Sequence, residues 1–258
     1  MSSPHELLEL SAMRLLARTA VNTFCALTVL GLAACGTDTS PSSPKATGPF
    51  AGLSGSEVAN KAIKATKKVK SLKIAVDMTS DGDRISARLS TNTSGDCTGT
   101  MAIGPAGSME IRRTGDTVYT KFDEAMLREQ SKGEPAADID AAVDALAGRW
   151  MKSKASDPDN KDMLELCDLN ALLEEFEAND NAAKKSGEST VDGRPALRLT
   201  EKDSEGTYTI LVATEGEPYI LKVDAKGTED PMTMTLSEFD KPVVVKKPAA
   251  KDIIDPDE

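Results

Sequence analysis

Apolar side chains recur along this chain in two different periods, and the switches between them mark its elements. Val58, Ala62, Ala65 and Val69 stand at helical spacing behind Ser54-Gly55-Ser56-Glu57. A Ser oxygen facing a free amide, with a Glu three residues on to close the reciprocal bond, is a capping box. The pattern therefore predicts a helix over about 55–70. The period then falls to two. Leu72, Ile74, Val76 and Met78 alternate with Lys73, Ala75, Asp77 and Thr79, and beyond the Asp81-Gly82-Asp83 turn Ile85, Ala87 and Leu89 continue the alternation. Two such runs across a Gly-containing turn predict a hairpin. Further strands are expected near 97–103, 108–113 and 116–121. Helical spacing returns with Ile139, Val143, Leu146 and Trp150, and again with Leu166, Leu169, Leu173 and Phe176. The two-residue period resumes at 186–191, 196–201, 207–213, 219–225 and 232–239.

No helix separates successive strands within either run, so the expected fold class is α+β with an antiparallel sheet throughout. One face should be apolar and the other wet. About ten strands are many for one open sheet, which should therefore curl, with the helices across its concave face. The candidate lining of a ligand site on that face is Ile74, Val76, Met78, Ile85, Leu89, Met109, Ile111, Met232 and Met234. Methionine adapts to shapeless apolar partners, and it packs ordinary cores equally well.

The N-terminus carries the sharpest signal. Arg14 and Arg18 precede an uncharged stretch from Thr19 to Ala34 that ends in Leu32-Ala33-Ala34-Cys35. A basic region, an apolar run and small residues before a cut describe an export signal over 1–34. The run is too short and too early for a comfortable membrane span. Cys35 directly after Leu-Ala-Ala matches the bacterial lipobox, whose thiol is acylated before cleavage. Glu6 and Glu9 are unusual ahead of such a signal, and Met13 followed by Arg14 makes a more regular start than Met1. Residues 35–54 then read as the acylated cysteine and a Ser/Thr/Pro-rich tether, 55–245 as a single α+β domain, and 246–258 as a disordered tail.

Charge and composition narrow the function. The chain has 258 residues, 31 Lys+Arg against 42 Asp+Glu and a net charge of -11, which disfavours nucleic acid as a partner. Its single histidine, His5, lies in the segment expected to be removed. The mature protein thus lacks the usual general base and the commonest transition-metal ligand, and neither a cofactor nor a metal site is expected. Cys25 leaves with the signal and Cys35 is acylated, so Cys97 and Cys167 are the thiols that remain. In an exported protein such a pair is expected to form a disulfide. Without a C-x-x-C motif it reads as structural.

The lipobox, the tether, the Ser-x-x-Glu helix ending near Val69-Lys70-Ser71-Leu72 and the strand-helix-strand order resemble the LppX/LprG-type lipoproteins of mycobacteria and their actinobacterial relatives. The segments Asp96-Cys97-Thr98-Gly99-Thr100 and Arg149-Trp150-Met151-Lys152 are similar to those of other actinobacterial lipoproteins. The resemblance spans roughly 55–245. It implies a half-barrel, similar to the LolA/LolB-like carriers, that holds the acyl chains of a lipid or lipoglycan.

Two chemical motifs carry little. Asp157, Asp159 and Asp162 are spaced like calcium ligands, but Lys161 and Asp162 occupy positions where a ligand and the turn glycine belong. Ser42-x-x-Lys45 lies in the tether, where nothing could hold a nucleophile's geometry. The resulting expectation is a non-enzymatic, monomeric lipoprotein. It should be anchored at the outer face of the cell membrane and bind a hydrophobic ligand for transport or presentation. The alternative is a partner or regulator of another envelope protein with a filled core.

Overall fold

A computed structural model describes residues 48–174, 176 and 183–254, the side chain of Asp162 apart. The signal, Cys35, the tether up to 47 and the last residues from 255 lie outside the described residues. The first helix, α1 (Gly55–Thr66), opens with the expected capping box. The Ser54 amide donates to Glu57 Oε2 at 2.7 Å and the Glu57 amide to Ser54 Oγ at 3.2 Å. It ends four residues earlier than the apolar spacing suggests, and Val69 is buried from the turn that follows. The folded domain also begins sooner than the Ser/Thr/Pro-rich composition implies. Phe50 lies in the core and its carbonyl accepts from Lys185 Nζ at 2.6 Å, so the tether ends before residue 50 rather than at 54.

Twelve strands form one sheet. The first meander runs β1 (Ser71–Ser80), β2 (Asp83–Asn92), β3 (Cys97–Ile103), β4 (Gly107–Thr114), β5 (Thr117–Phe122) and β6 (Trp150–Lys154). The second runs β7 (Lys184–Val191), β8 (Arg194–Lys202), β9 (Thr207–Ala213), β10 (Ile220–Lys226) and β11 (Met232–Ser237), and β12 (Ile253–Ile254) closes the chain. The spatial order is β12-β6-β5-β4-β3-β2-β1-β11-β10-β9-β8-β7. The second meander thus starts at the far edge and returns to set β11 against β1 at the centre. Every neighbouring pair is antiparallel except β12 on β6, which is parallel and corrects the expectation of a wholly antiparallel sheet.

Within the first meander α2 (Glu124–Gln130) and α3 (Ala136–Leu146) separate β5 from β6, and between the meanders lie α4 (Lys161–Glu165) and α5 (Leu169–Glu174). Trp150 does not extend α3, as its spacing suggested. Gly148, at φ +70°, stops the helix, and Trp150 opens β6 instead. In the run from Leu166 to Phe176, Leu166 follows the end of α4, and α5 starts where the Asp168 carboxylate accepts from the amides of Asn170 and Ala171.

Two packed cores lie on the helix-bearing, inner face. One gathers Val58, Ala62, Leu72, Leu169, Leu173, Leu199, Val212, Ile220 and Leu236 under α1 and α5. The other holds Cys97, Met101, Met109, Ile111, Val118, Leu164 and Cys167 under α4. The Cys97–Cys167 disulfide joins β3 to the turn between α4 and α5. A smaller cluster of Ala196, Leu211, Ala213 and Leu221 sits on the opposite, outer face, with stacked Tyr219 and Phe239 beside it.

The segment after β11 is ordered through Ile254, not disordered from 246. It crosses the outer face of the first meander as a strap. The Ser71 hydroxyl donates to the Lys241 carbonyl at 2.6 Å, the Arg112 guanidinium to the Lys246 carbonyl at 2.9 Å, and β12 pairs with β6. Beneath it Trp150 is buried, with Arg112 4.1 Å and Lys121 4.9 Å from its ring centre.

One carboxylate fixes the corner from which α2 departs. Asp123 accepts from the Met126 amide at 2.8 Å, the Ser108 amide at 2.8 Å and the Ser108 hydroxyl at 2.6 Å. Burial works against its charge, but the bonds from Ser108, Met126 and Ala125 outweigh it and hold the carboxyl below its ordinary range. A depressed folded-state value means that this stabilisation is present above the unfolded range, near pH 4, and is lost as pH falls through the folded value. Asp123→Ala is expected to cost about 1 kcal/mol at neutral pH, the usual worth of a helix cap. Urea unfolding should show that difference shrinking in strong acid. Gly107, at φ +101°, permits this corner, since a Cβ there would collide with the Asp123 carboxylate and the Met126 amide.

Candidate ligand-binding site

Strand register settles which side chains share the inner face. Ile74 stands opposite Leu89 and Leu236, Val76 opposite Ala87 and Met234, and Met78 opposite Ile85 and Met232. Across β3, Leu89 aligns with Gly99 and then Ile111, and Ala87 with Met101 and then Met109. All nine candidate lining residues therefore lie on one face of the sheet.

They do not share one environment. Ile74 belongs to the core under α1 and α5, and Met109 and Ile111 to the core under α4. The interior expected to enclose a ligand is there filled by protein. Met78 and Ile85 are buried against each other's strands at the opposite end of the hairpin. Val76, Leu89, Met232 and Met234 stay half-buried, in a strip on the same face.

Residues that the apolar pattern did not single out as lining complete this strip. Ala87 lies beside Val76, and Val223 pairs with Met234 on one side and Ile210 on the other. All three are half-buried. At the end of the strip Tyr208 stands opposite Glu201 on β8. Burial, then the negative charge of Asp203, pushes the Glu201 carboxyl up, and burial with the carboxylates of Asp203, Glu205 and Glu201 raises the Tyr208 phenol.

Two recesses are polar. One of about 540 Å³ lies near the disulfide end, lined by Asn92, Arg113, Lys161, Glu165 and Asp168 among others. The second, of about 1140 Å³, lies on the outer face and reaches from β2 across β1 and β11 to β7. Among the described residues no three His, Cys, Asp or Glu side chains could hold a metal ion, and no helix is long and apolar enough to cross a membrane.

No protein-family model matches the sequence, and no curated protein matches it. Solved structures do. LprF from Mycobacterium bovis is 14% identical, with 76% of this chain and 97% of that one covered at a TM-score of 0.48. The Mycobacterium tuberculosis lipoprotein LppX is 16% identical, with 73% and 97% covered at 0.45. The Pseudomonas aeruginosa MucA/MucB complex is 14% identical, with 76% and 59% covered at 0.31. LprF and LppX, both mycobacterial, are among the solved structures to which this chain is similar.

Proposed function

We propose that this is an exported, lipid-anchored protein that binds an acyl-chain ligand without chemistry and carries or presents it at the cell envelope. The observation that supports this reading is a row of half-buried apolar side chains on the inner face, in which Val76, Val223 and Met234 pack against the core under α1 and α5, Ala87 and Leu89 against the core under α4, and Met232 against neither. Half-buried apolar side chains keep part of their surface in water. Laying an acyl chain along the strip removes that surface from water, at roughly 25 cal/mol per Å². Cys35, acylated, would hold the domain at the outer face of the membrane, where the ligand resides.

Native mass spectrometry with organic extraction tests the reading on protein exported in a lipid-rich actinobacterial host. The expected result is a stoichiometric acyl-chain adduct on the wild type. Ala87→Trp, which fills the strip, and Met234→Asp, which makes it polar, should each remove most of the adduct while the far-ultraviolet spectrum is kept. A bare wild-type mass would overturn lipid binding in favour of a protein-interaction module. An adduct untouched by both substitutions would remove the ligand from this strip.

A further inference from the structure

The face opposite the helices carries a second surface, independent of the strip. Its recess of about 1140 Å³ is lined by Lys73, Arg88, Arg198, Lys222 and Lys226 against Asp192 and Asp224. This excess of cations stands in a chain whose net charge is -11. Two of the cations are matched, Arg88 by Asp77 at 2.6 Å and Lys222 by Asp224 at 3.0 Å. Arg198 donates to the Ser189 hydroxyl at 3.2 Å. Among the described residues no ion pair within 4 Å engages Lys73, Arg198 or Lys226. Between these charges the floor is hydroxylated, with Thr200, Thr207, Thr209 and Thr235 among the lining residues. The strap's bonds fall on Ser71, Arg112 and β6, none of which lines the groove.

We infer that the groove binds an extended anionic polysaccharide. Its unpaired cations complement carboxylate or phosphodiester groups spaced along a chain, and the threonine rows offer donors and acceptors to sugar hydroxyls. The groove crosses seven strands, a length suited to a polymer rather than to a single ion. A recessed surface cannot lie flat on a bilayer, which excludes lipid headgroups in place. The lining holds no aromatic side chain on which bases would stack, which disfavours single-stranded nucleic acid. The overall negative charge repels a polyanion at range, but within a Debye length of about 10 Å the local cations dominate.

The test measures binding of the whole protein to polygalacturonate, with dextran as the neutral polymer. Binding should be confined to polygalacturonate, weaken steeply with salt, and fall about tenfold or more in the Arg198→Glu, Lys226→Glu double variant. Both side chains are exposed, so an unchanged melting temperature is expected and excludes unfolding as the cause. Lys61→Glu with Lys64→Glu changes net charge equally on the exposed face of α1 and should leave binding intact. Equal affinity for dextran, indifference to the groove reversal, an equal loss in the α1 control, or binding confined to anionic vesicles would each overturn the proposal.

Discussion

Removing the Cys97–Cys167 bond is expected to lower stability by about 4 kcal/mol, the chain-entropy worth of closing a loop of this length. The two residues are 70 apart and both are fully buried. The bridge meets the inner face where few other bonds hold the helices down. α4 and α5 are of 5 and 6 residues, too short to persist without tertiary support. Their other ties include the Thr91 hydroxyl, which donates to the Cys167 carbonyl at 2.6 Å in a buried position, and Lys67 Nζ, which donates to the Glu174 carbonyl at 3.2 Å. Cys97→Ala with Cys167→Ala should therefore shift the urea midpoint down, and wild-type protein in reductant should approach the same midpoint. Without reductant neither thiol should take up an alkylating reagent in the native protein. A midpoint shift worth less than about 1 kcal/mol would show that packing alone fixes these helices.

That bridge was legible from cysteine counting and compartment, because pairing two remaining thiols needs no knowledge of neighbours. The strand positions were legible for a similar reason. Alternation is local, and Leu72 to Met78 and Ile85 to Leu89 report their own facing. The errors arise where local spacing has two explanations. Trp150 stands at helical distance from Leu146, yet Gly148 in a left-handed conformation intervenes, and the same residue begins an alternating strand. Phe50 looked like tether because one aromatic among Ser, Thr, Pro and Gly makes no period, although its contact with the core is tertiary.

The candidate site was legible only in part, again for physical reasons. A β-bulge between Ile220 and Lys222 shifts the phase of β10. Strict alternation would put Leu221 beside Val223, whereas Leu221 packs with the outer-face cluster and Ile220 joins the inner core. The strip depends on β11 lying next to β1, a contact between residues far apart in sequence that no period encodes. The same juxtaposition places Lys73 and Arg88 of the first meander in one groove with Arg198 and Lys226 of the second. One topological step thus creates both surfaces, with the apolar one inside and the cationic one outside.

Cys35→Ala is expected to abolish membrane retention, the largest functional change available to a single substitution here. A single acyl chain gives marginal, reversible binding with an association constant of about 10⁴ M⁻¹, and each further buried CH₂ adds about 0.8 kcal/mol, so two chains give stable anchoring. The lysine-rich surface of α1 and the turn after it, with Lys61, Lys64 and Lys68 exposed, offers anionic lipid a weaker attachment of about 1 kcal/mol per residue. Salt separates the two, since it screens the lysines and leaves acyl burial untouched. In fractionated cells the wild type should stay with the membranes through a high-salt wash, and the variant should be soluble or retain its signal. A variant that still resists the wash would place the anchor elsewhere. Because Phe50 is seated in the core, the reach available to the anchored domain is that of residues 36–49. Fully extended, 14 residues span at most roughly 50 Å, which bounds how far Phe50 could stand from an anchor at Cys35.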